Sequence, residues 1–558
     1  MAARSGGEIL VAGLVAQGAT HLYGVPGESY LPVLDALVDV SERLRFVVCR
    51  QEGGAAFMAE ATGKLTGRPG VAIVTRGPGA TNAAIGVHVA AQDSTPMVLL
   101  VGQVGADMVD REAFQEIDYR RMYAGVAKWA AQVDRAERIP EYLAHAWRIA
   151  LSGRPGPVVL ALPEDVLSAH ARTADLPRVE ALPVAADPGQ VSEVRRRLAA
   201  ARRPLVVAGG SRWDDRACES LARFAGRWSL PVACAFRRQD LFDNRHPGYA
   251  GDVGIGPNPA LAARVREADL LIVIGERLGE MTTSGYTLLD VPAPRQALVH
   301  VHPGAEEIGR VFQPAVGLCA TPGAFLDAID ALPGPDSAPA WEGSAAAAHA
   351  DYEAWRAPRP VPGALDLWHI VRWLDERLPD DAILANGAGN YTTWLHRLYR
   401  HRRPGTQVAP YAGAMGYAVP AAIAAAFVRP GATVVSWNGD GCFQMNGQEL
   451  ATAVEHRLPI VFVVIDNGMY GTIRMHQERN YPGRVSGTSL ANPDFAALAR
   501  AYGAAGETVG STADFAPAFE RALARDGPSL LHLALDPQAL TMNASLDALR
   551  ASGRRPRT

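Results

Sequence analysis

The sequence lacks the features that mark secreted and membrane proteins. Its 558 residues include only five cysteines, which are scattered and form no Cys-x-x-Cys pair. This scarcity argues against a disulfide framework or a zinc site and favours a reducing compartment. No apolar run approaches the ~18–20 residues of a membrane span, and the N-terminus lacks the apolar core of a signal peptide. We therefore expect a cytoplasmic protein that has no membrane contact.

An excess of charge of one sign is also absent. The 54 basic and 58 acidic residues give a formal net charge of −4, so nothing predicts binding to nucleic acid or to a membrane surface. Hydrophobic residues make up 48% of the chain and charged residues 20%, which is typical of a globular enzyme. The length allows roughly two to four domains with complete cores.

Short apolar runs alternate with helical patterns in three segments of the chain. The first segment has predicted strands at His21–Gly24, Phe46–Cys49, Val71–Thr75, Met97–Val101 and Val158–Leu162. The second has them at Pro204–Gly210, Pro231–Phe236, Leu270–Ile274, Ala297–His302 and Ala315–Cys319. The third has them at Ala382–Ala385, Thr433–Trp437, Ile460–Ile465 and Leu530–Leu535. This alternation predicts three doubly wound parallel-sheet domains, over residues 1–185, 190–335 and 363–558.

Two polar turns of the third segment carry the most informative residues. The apolar run Ala432–Trp437 leads to Asp440, which stands between two glycines, and the run Pro459–Ile465 leads to Asn467. A Gly-Asp-Gly sequence alone is a common turn. Two such turns at the ends of successive strands, however, indicate a ligand site, because α/β sheets bind ligands at the carboxyl ends of their strands.

The stretch between these strands predicts a helix at Gln448–Arg457, with Asn446 as its N-cap and Glu449 as the capping-box partner. A strand–helix–strand unit of this length is a right-handed parallel crossover, so Asp440 and Asn467 should lie at one sheet edge. Their oxygens, with the backbone carbonyl of Met469, suit Mg²⁺ held against phosphates. The sequence therefore predicts a site for a metal and a diphosphate.

Further motifs occur in a fixed order along the first and third segments. They are Arg50–Ala61, Thr75–Asn82, Ala113–Glu116, Asn386–Asn390 and Gly413–Tyr417. By position alone, Glu52 in the first motif would be a charge stabilised at a helix N-terminus. With the Asp440 and Asn467 turns, the whole set resembles the thiamine diphosphate (ThDP) enzymes of the acetolactate synthase and pyruvate decarboxylase superfamily. The resemblance covers roughly residues 6 to 545.

The resemblance implies pyrimidine-binding, central and diphosphate-binding domains in a homodimer or homotetramer, with the active site between subunits. Asp440, Asn467 and the Met469 carbonyl would ligate Mg²⁺, and Glu52 would hydrogen-bond the cofactor's aminopyrimidine. Met415 would bend the cofactor, and the Gly413 carbonyl would accept its 4′-amino group. The implied cofactor-binding residues are Pro26, Glu52, Asn82, Gly387, Ala388, Gly389, Asn390, Tyr391, Gly413, Met415, Gly439, Asp440, Gly441, Cys442, Asn467, Met469, Tyr470, Gly471 and Thr472.

The activity implied is decarboxylation of a pyruvate-like 2-oxo acid and transfer of the acyl carbanion to a second carbonyl compound. The residues implied in catalysis are Glu52, Glu28, Gln115 and His476. Gln115, in Phe-Gln-Glu, fits the synthases. Glu28 replaces part of their Tyr-Pro-Gly-Gly loop, as in decarboxylases that release an aldehyde, although it would equally start a helix. His476 stands where synthases carry a tryptophan that shapes the acceptor pocket.

Other interpretations of these motifs stay open beside this function. A decarboxylase that does not ligate, or a ThDP lyase on another substrate, would share the same cofactor site. Synthases of this group usually bind FAD beside an acidic residue, where this chain has Val301-His302-Pro303, which argues against a flavin. A nucleotide-dependent dehydrogenase is disfavoured because Pro204–Gly210 lacks the Gly-x-Gly-x-x-Gly spacing. The resemblance leaves a regulatory subunit undetermined.

Overall fold

The computed structural model describes residues 2–335 and 337–553. Its N-terminal sheet has six strands, β1 (His21–Gly24), β2 (Arg45–Val48), β3 (Gly70–Val74), β4 (Met97–Gln103), β5 (Trp129–Gln132) and β6 (Pro157–Pro163). The helices around it are Gly6–Ala16, Leu31–Val38, Glu52–Thr66, Gly77–Asp93, Tyr119–Tyr123, Ile139–Leu151 and Glu164–Ser168. A two-residue antiparallel pair, Arg4–Ser5 with His170–Ala171, joins the two ends of this domain.

The central sheet also has six strands, β7 (Pro204–Ala208), β8 (Val232–Ala235), β9 (Tyr249–Val253), β10 (Leu270–Ile274), β11 (Ala297–His302) and β12 (Val316–Cys319). Its helices are Pro188–Ala200, Asp215–Trp228, Pro259–Glu267 and Pro322–Asp330. The helix Ser344–Trp355 lies in the connection to the third domain.

The third sheet consists of β13 (Ile383–Asn386), β14 (Gln407–Val408), β15 (Val434–Gly439), β16 (Ile460–Asp466), β17 (Ala505–Val509) and β18 (Ser529–Ala534). Its helices are Leu367–Arg377, Thr392–Leu398, Ala418–Val428, Asp440–Asn446, Leu450–Glu455, Gly471–Asn480, Phe495–Ala501, Thr512–Leu523 and Leu546–Gly553. All strands within the three large sheets pair in parallel, which confirms the predicted fold class.

The strand orders show where ligands can enter. The first sheet runs β2-β1-β3-β4-β6-β5 and the third runs β14-β13-β15-β16-β18-β17, which is the same topology. The central sheet runs β9-β8-β7-β10-β11-β12, the order of a dinucleotide-binding fold. The order reverses between β1 and β3 and between β13 and β15, and such switch points open a crevice at the carboxyl ends of the strands.

The N-terminal and C-terminal domains share one apolar core. The helix Glu52–Thr66 packs against the helix Ala418–Val428 through small side chains that let the two backbones approach. Phe57 and Tyr417 add an edge-to-face ring contact with centroids 5.4 Å apart. Within residues 2–335 and 337–553, no helix is both long enough and apolar enough to cross a membrane.

The helix predicted at Gln448–Arg457 is present as Leu450–Glu455, whereas the capping box predicted for it is wrong. A helix already begins at Asp440, and a 3-10 turn at Gly447–Glu449 separates it from the helix Leu450–Glu455. The Asn446 side chain donates to the Gly416 carbonyl at 3.0 Å. The Glu449 carboxylate accepts the N–H groups of Arg50 and Gln51 at 2.9 and 3.0 Å. Both polar side chains therefore serve tertiary contacts that a local capping pattern cannot reveal.

Candidate active site

The N-terminal part of the candidate site lies at the switch point of the first sheet. Glu28 follows β1, Glu52 follows β2, and Asn82 lies in the helix that follows β3. The Asn82 side chain donates a hydrogen bond of 2.9 Å to the Glu52 carboxylate and so orients it. Glu52 is half-buried, whereas Glu28 and Pro26 are exposed.

Gln115 joins this group through its backbone. Its φ of 65° is left-handed, and its carbonyl accepts a 2.9 Å hydrogen bond from the N–H of Gly77. Gly77 begins the helix Gly77–Asp93, which also carries Asn82. The loop that contains Gln115 is therefore fixed to the same helix as the partner of Glu52.

The loop after β13 packs closely over the start of the helix Asp440–Asn446. A Cβ on Gly387 would lie 2.4 Å from the Cys442 sulfur, and one on Gly439 would lie 2.7 Å from the Tyr391 ring. Only glycine allows such an approach without displacing the neighbour. The Cys442 sulfur also accepts the N–H of Gly416 at 3.2 Å, so this small buried side chain ties two loops together.

Residues after β16 hold the far side of this loop. The Thr472 hydroxyl accepts the N–H of Asn390 at 3.0 Å and donates to the Asn390 side-chain oxygen at 2.9 Å. A Cβ on Gly441 would lie 2.6 Å from the Tyr470 ring. Tyr470, Gly471 and Thr472 thus lie beside the predicted diphosphate loop, with Ala388 and Gly389 between its two anchored ends.

Asp440 is the buried carboxylate at the centre of this group. Its residue surface is 4% exposed. Burial raises the pKa of Asp440 to about 6, and the nearby Asp466 carboxylate adds to the shift. Burial would also raise the pKa of Asp466, but hydrogen bonds from His532 and the Gly468 N–H hold it below the ordinary value. Asp440 is therefore the member of the pair that is hard to ionise without a cation.

Asn492 joins the two carboxylates and was missed by the sequence reasoning. Its side-chain amide donates to Asp440 at 2.8 Å and to Asp466 at 2.7 Å. Gln444 in turn donates to the Asn492 side-chain oxygen at 2.8 Å. His532 lies 3.0 Å from the other oxygen of Asp466. Asn492 comes from a loop that no periodic pattern marks, so its role could not be predicted from the sequence.

The donor set at this position fits a hard divalent cation. The structure, over the residues it describes, places no three His, Cys, Asp or Glu side chains where they would hold a metal ion, so a cation here needs other oxygens beside Asp440. The Asn467 amide and the Met469 carbonyl are such ligands. The backbone around Met469 is held by a bridge to Ser489 and by the bond from the Tyr470 N–H to the Thr488 carbonyl at 2.9 Å. Asp466 has His532 as a partner, whereas the buried Asp440 has no cationic side chain beside it among the described residues, so this donor set would suit Mg²⁺.

The loop that contains Gly413 and Met415 is fixed by the N-terminal domain. The Asp93 carboxylate accepts the N–H groups of Tyr411 and Ala412 at 2.8 and 3.1 Å. Lys64 pairs with Asp93 and donates to the Ala409 carbonyl at 2.8 Å. Gly413 itself has a left-handed φ of 68°. The position of this loop therefore depends on a buried ion pair of another domain.

A cavity of about 830 Å³ opens over the C-terminal group. Its wall includes Gly389, Asn390, Gly413 and Thr472, together with His476 on the helix Gly471–Asn480. Arg277, which follows the central strand β10, also lines it and stacks on Tyr411 with 5.2 Å between guanidinium and ring centre. The cavity is large enough to hold a cofactor and a small substrate together.

Sequence profiles of one family match all three domains. The N-terminal TPP binding domain of thiamine pyrophosphate enzymes matches residues 4–122, the central domain matches 191–329, and the C-terminal TPP binding domain matches 387–533. The acetolactate synthase isozyme 2 large subunit of Escherichia coli K12 is 33% identical over 534 residues, 95% of this chain and 96% of that protein. The chain belongs to the thiamine pyrophosphate enzymes.

Other relatives of this thiamine pyrophosphate enzyme carry similar names. An acetolactate synthase of Mycobacterium bovis is 33% identical over 90% of this chain and 83% of that protein. A probable acetolactate synthase large subunit of Methanocaldococcus jannaschii is 32% identical over 96% of this chain and 93% of that protein. The protein is therefore a ThDP-dependent enzyme of the carboligase and decarboxylase type, similar to acetolactate synthases.

The predicted site residues of this enzyme fall into two groups. Glu28, Glu52, Asn82 and Gln115 lie around the switch point of the first sheet, and the residues from Gly387 to Thr472 lie around that of the third. Over the described residues, Glu52 has one hydrogen bond, from Asn82, and none to the second group. The two groups belong to different domains, and among the described residues no hydrogen bond links the Glu52 carboxylate to Asp440, Asn467 or Met469.

Proposed function

We propose that this enzyme, with ThDP and Mg²⁺, decarboxylates a pyruvate-like 2-oxo acid and transfers the acyl unit to a second carbonyl compound. The observation that carries the proposal is the pair Asp440 and Asp466, which no lysine or arginine of the described residues neutralises. The pair lies beside the glycine-lined loop after β13, and Gly389 and Asn390 of that loop line the 830 Å³ cavity. When bound, ThDP supplies an acidic carbon and an electron sink, which the side chains of the protein lack.

The residues of the chain would bind and orient the reactants. Asp440, Asn467 and the Met469 carbonyl would hold Mg²⁺, which would neutralise the diphosphate together with the N–H groups at the start of the helix Asp440–Asn446. The loop of residues 387–391 would surround the diphosphate, with the Asn390 N–H and side chain held by Thr472 and with Gly387 packed against Cys442. These contacts are supported by the close glycine approaches and the Asn390–Thr472 hydrogen bonds.

Glu52 would hold the proton on the aminopyrimidine nitrogen that faces it. The hydrogen bond from Asn82 supports this role because it fixes one carboxylate oxygen and leaves the other to face the cofactor. Met415 would set the angle between the two cofactor rings, and the Gly413 carbonyl would accept the amino group. A proton held at a defined atom by a fixed carboxylate is the usual arrangement for general acid–base catalysis.

We also propose that the working unit is a homodimer or a pair of homodimers. A second copy would bring its Glu52 and Asn82 to face the Gly413 and Met415 of the first. The separation of the two groups within one chain supports this arrangement. A twofold dimer would then contain two equal sites, each built from both chains.

A second candidate function is release of a free aldehyde without ligation. Glu28 favours it, because this exposed carboxylate follows β1 at the same switch point as Glu52 and is free of hydrogen bonds and ion pairs in the described part of the chain. A carboxylic acid at this place could protonate the product. A ThDP lyase acting on another substrate would use the same cofactor residues.

We propose that the central domain works without FAD. Two carbonyls of the turn after β7 are engaged within the protein, since the Trp213 indole donates to the Gly209 carbonyl at 2.7 Å and Arg238 donates to the Gly210 carbonyl. His302 is likewise engaged, with its ring bonded to the Gly304 backbone at 3.0 Å. Purified protein should therefore lack the visible absorbance of a flavin.

The experiment that tests the function uses purified protein with ThDP, Mg²⁺ and a panel of 2-oxo acids headed by pyruvate. CO₂ release is followed and the carbon product is identified by mass. An acyloin such as acetolactate supports the carboligase, and a free aldehyde supports the second candidate. Absence of CO₂ from every acid would overturn both.

A further inference from the structure

Two arginines at the mouth of the cavity converge on one neutral acceptor. The guanidinium groups of Arg397 and Arg359 both donate to the side-chain oxygen of Asn543, at 3.5 and 2.9 Å. Neither has a carboxylate within ion-pair distance among the described residues, whereas most buried or half-buried arginines of this chain do. Two adjacent positive charges that share an amide oxygen form a place where an anionic oxygen would bind more strongly.

The two guanidinium groups are held in place by an aromatic ring. Trp355, at the end of the helix Ser344–Trp355, has Arg397 at 3.7 Å and Arg359 at 5.2 Å from its ring centre. Burial lowers the pKa of Arg397 to about 10, and the charge of Arg359 contributes. Arg397 nevertheless stays charged at neutral pH, and the Asp252 carboxylate, which acts on it from beyond ion-pair distance, partly offsets the effect of the Arg359 charge. Such stacking fixes a guanidinium plane for bidentate binding.

One member of this arginine pair, Arg397, lines the cavity, and Arg359 reaches it through Asn543. Trp355, Arg397 and Asn543 line the same cavity of about 830 Å³ as Gly413 and Thr472 of the cofactor group. The acidic groups of the cavity wall are few. They are Asp252, which is buried and whose pKa is raised to about 6, and Glu280. The cavity therefore has an excess of positive charge away from the predicted diphosphate site.

We propose that Arg397, supported by Arg359 and Trp355, binds an anionic group at the end of the substrate remote from the reacting carbonyl. The inference rests on the proposed function, since it names the substrate class of that same site. The anionic group is a carboxylate or a phosphate, so the substrates are a 2-oxo dicarboxylic acid as donor or a phosphorylated aldehyde as acceptor. The anion would replace the Asn543 oxygen between the two guanidinium groups.

The test compares matched substrates that differ only in this remote charge. Donors are 2-oxoglutarate and 2-oxopentanoate, and acceptors, with pyruvate as donor, are glyceraldehyde 3-phosphate and glyceraldehyde. The holoenzyme with ThDP and Mg²⁺ should prefer the charged member of one pair by about 10- to 100-fold in kcat/KM, the value of one charge-assisted hydrogen bond. A preference within the donor pair indicates a carboxylate subsite, and a preference within the acceptor pair indicates a phosphate subsite.

The variant Arg397→Gln should remove most of this preference while changing kcat/KM for the uncharged member by about twofold or less. Arg397→Lys should restore part of it, because the charge returns without the planar fork. Arg403→Gln, at an exposed arginine outside the cavity, should behave as the unchanged enzyme. Melting temperatures of all variants, measured with ThDP and Mg²⁺, show whether a loss is due to unfolding.

Failure of the inference and failure of the proposed function are distinguishable. If pyruvate is turned over but neither charged substrate is preferred, or if Arg397→Gln keeps the preference, the anion subsite is wrong and the function stands. If no 2-oxo acid releases CO₂, the function is wrong, and calorimetric titration of the ThDP–Mg²⁺ protein with glutarate and with inorganic phosphate decides the subsite. Saturable binding that is abolished in Arg397→Gln supports the anion subsite, and absence of binding overturns it.

Discussion

Asp440 is the residue whose chemistry is most changed by its surroundings. The carboxylate is buried beside Asp466, and in the described residues no lysine or arginine pairs with either. A buried charge without a partner destabilises a fold, and removal of that charge often stabilises it. The same carboxylate would be essential for binding Mg²⁺. Removal of its charge should therefore favour stability and abolish function.

We predict that Asp440→Asn raises the melting temperature of the metal-free protein or leaves it unchanged. Asparagine carries no charge and can donate to Asp466, so the repulsion between two carboxylates disappears. The rise in melting temperature on addition of ThDP and Mg²⁺, present in the parent protein, should be lost. Differential scanning fluorimetry measures both quantities. Asp381→Asn, at an exposed position, is the control, and a retained ThDP–Mg²⁺ shift in Asp440→Asn would refute the metal assignment.

Glu52 differs from Asp440 because we propose that it acts in the reaction and does not hold the metal. We predict that Glu52→Gln lowers turnover by roughly 10²- to 10⁴-fold, the range for loss of a general acid–base group. The affinity for ThDP and Mg²⁺, followed by the same thermal shift, should change little. Asn82→Ala should give a smaller loss, because the carboxylate remains but its 2.9 Å hydrogen bond does not. Turnover retained in Glu52→Gln would exclude the proposed role.

Single residues also show what the sequence could and could not reveal. Asp440 and Asn467 were found because glycines and polar residues interrupt apolar runs at strand ends, where a fold of this class places its ligands. Asn492 was missed because it reaches Asp440 from 52 positions away in the sequence. Glu449 was assigned to a local cap, yet its partners, Arg50 and Gln51, lie about 400 positions earlier. Contacts between distant loops leave no periodic signal.

At the scale of elements, the helix Glu52–Thr66 contributes to both groups of site residues. Glu52 begins it, and Glu60 and Lys64, further along, form a buried network with Asp93 and Tyr417. Burial raises the pKa of Glu60, although Lys64 opposes the shift. One helix therefore carries a proposed catalytic group and secures the loop that contains Gly413 and Met415.

We predict that Asp93→Ala destabilises the protein by about 3–5 kcal/mol, the cost of leaving one member of a buried ion pair without its partner. The N–H groups of Tyr411 and Ala412 lose their acceptor, so their hydrogen exchange should accelerate strongly. Exchange in the helix Leu367–Arg377, which lies apart from the network, should be unchanged. Hydrogen-exchange mass spectrometry compares the two regions. Equal protection of the loop in both proteins would show that Asp93 does not position it.

The C-terminal helix Leu546–Gly553 is held against the helix Gly471–Asn480 by Glu478. Arg550 donates two hydrogen bonds of 2.9 Å to this carboxylate, and Arg474 donates a third of 2.9 Å. The contact with Arg550 lowers the pKa of Glu478 to about 2 from an ordinary value of 4.5. The stabilisation is therefore complete above pH 4.5 and disappears as the pH falls towards 2.

We predict that Glu478→Gln releases the C-terminal helix at neutral pH. Limited proteolysis should remove this helix faster than in the parent protein, because the amide cannot replace two charge-assisted bonds. The difference in stability between the two proteins should shrink as the pH falls from 4.5 towards 2, where the parent carboxylate also becomes protonated. Glu520→Gln, which breaks the exposed pair with Arg377, is the control and should have little effect. Equal cleavage rates would contradict the prediction.

The strands missed by the sequence reasoning share one structural position. They are β5, β9, β14 and β17, and every one lies at the edge of its sheet. An edge strand has one neighbour and is only partly covered, so its side chains need not be apolar; all four residues of β5 are half-buried. The central strands were found because burial on both faces imposes continuous apolar runs. Burial thus explains why the interior strands were predicted, although the edge strands β2 and β12 were predicted as well.

At the scale of the whole molecule, the first and third domains repeat one topology. Each carries its part of the site at the switch point between the first and third strands of its own sheet. Glu52 and Asp440 therefore occupy related places in two similar domains. A twofold axis that pairs the first domain of one chain with the third domain of another would generate two identical sites. Sites built from two subunits predict that two different inactive variants can complement each other, which sites within one chain do not predict.

We predict that two inactive variants, Glu52→Gln and Asp440→Asn, regain activity when they assemble together. In a mixed dimer one site contains both substitutions, but the other combines the Glu52 of one chain with the Asp440 of its partner. Random assembly makes half of the dimers mixed, so about a quarter of the parent activity should return. Co-expression with two affinity tags isolates the mixed dimer, in which about half the sites are intact. If each site lay within one chain, every site of the mixed dimer would carry a substitution, and activity would stay absent.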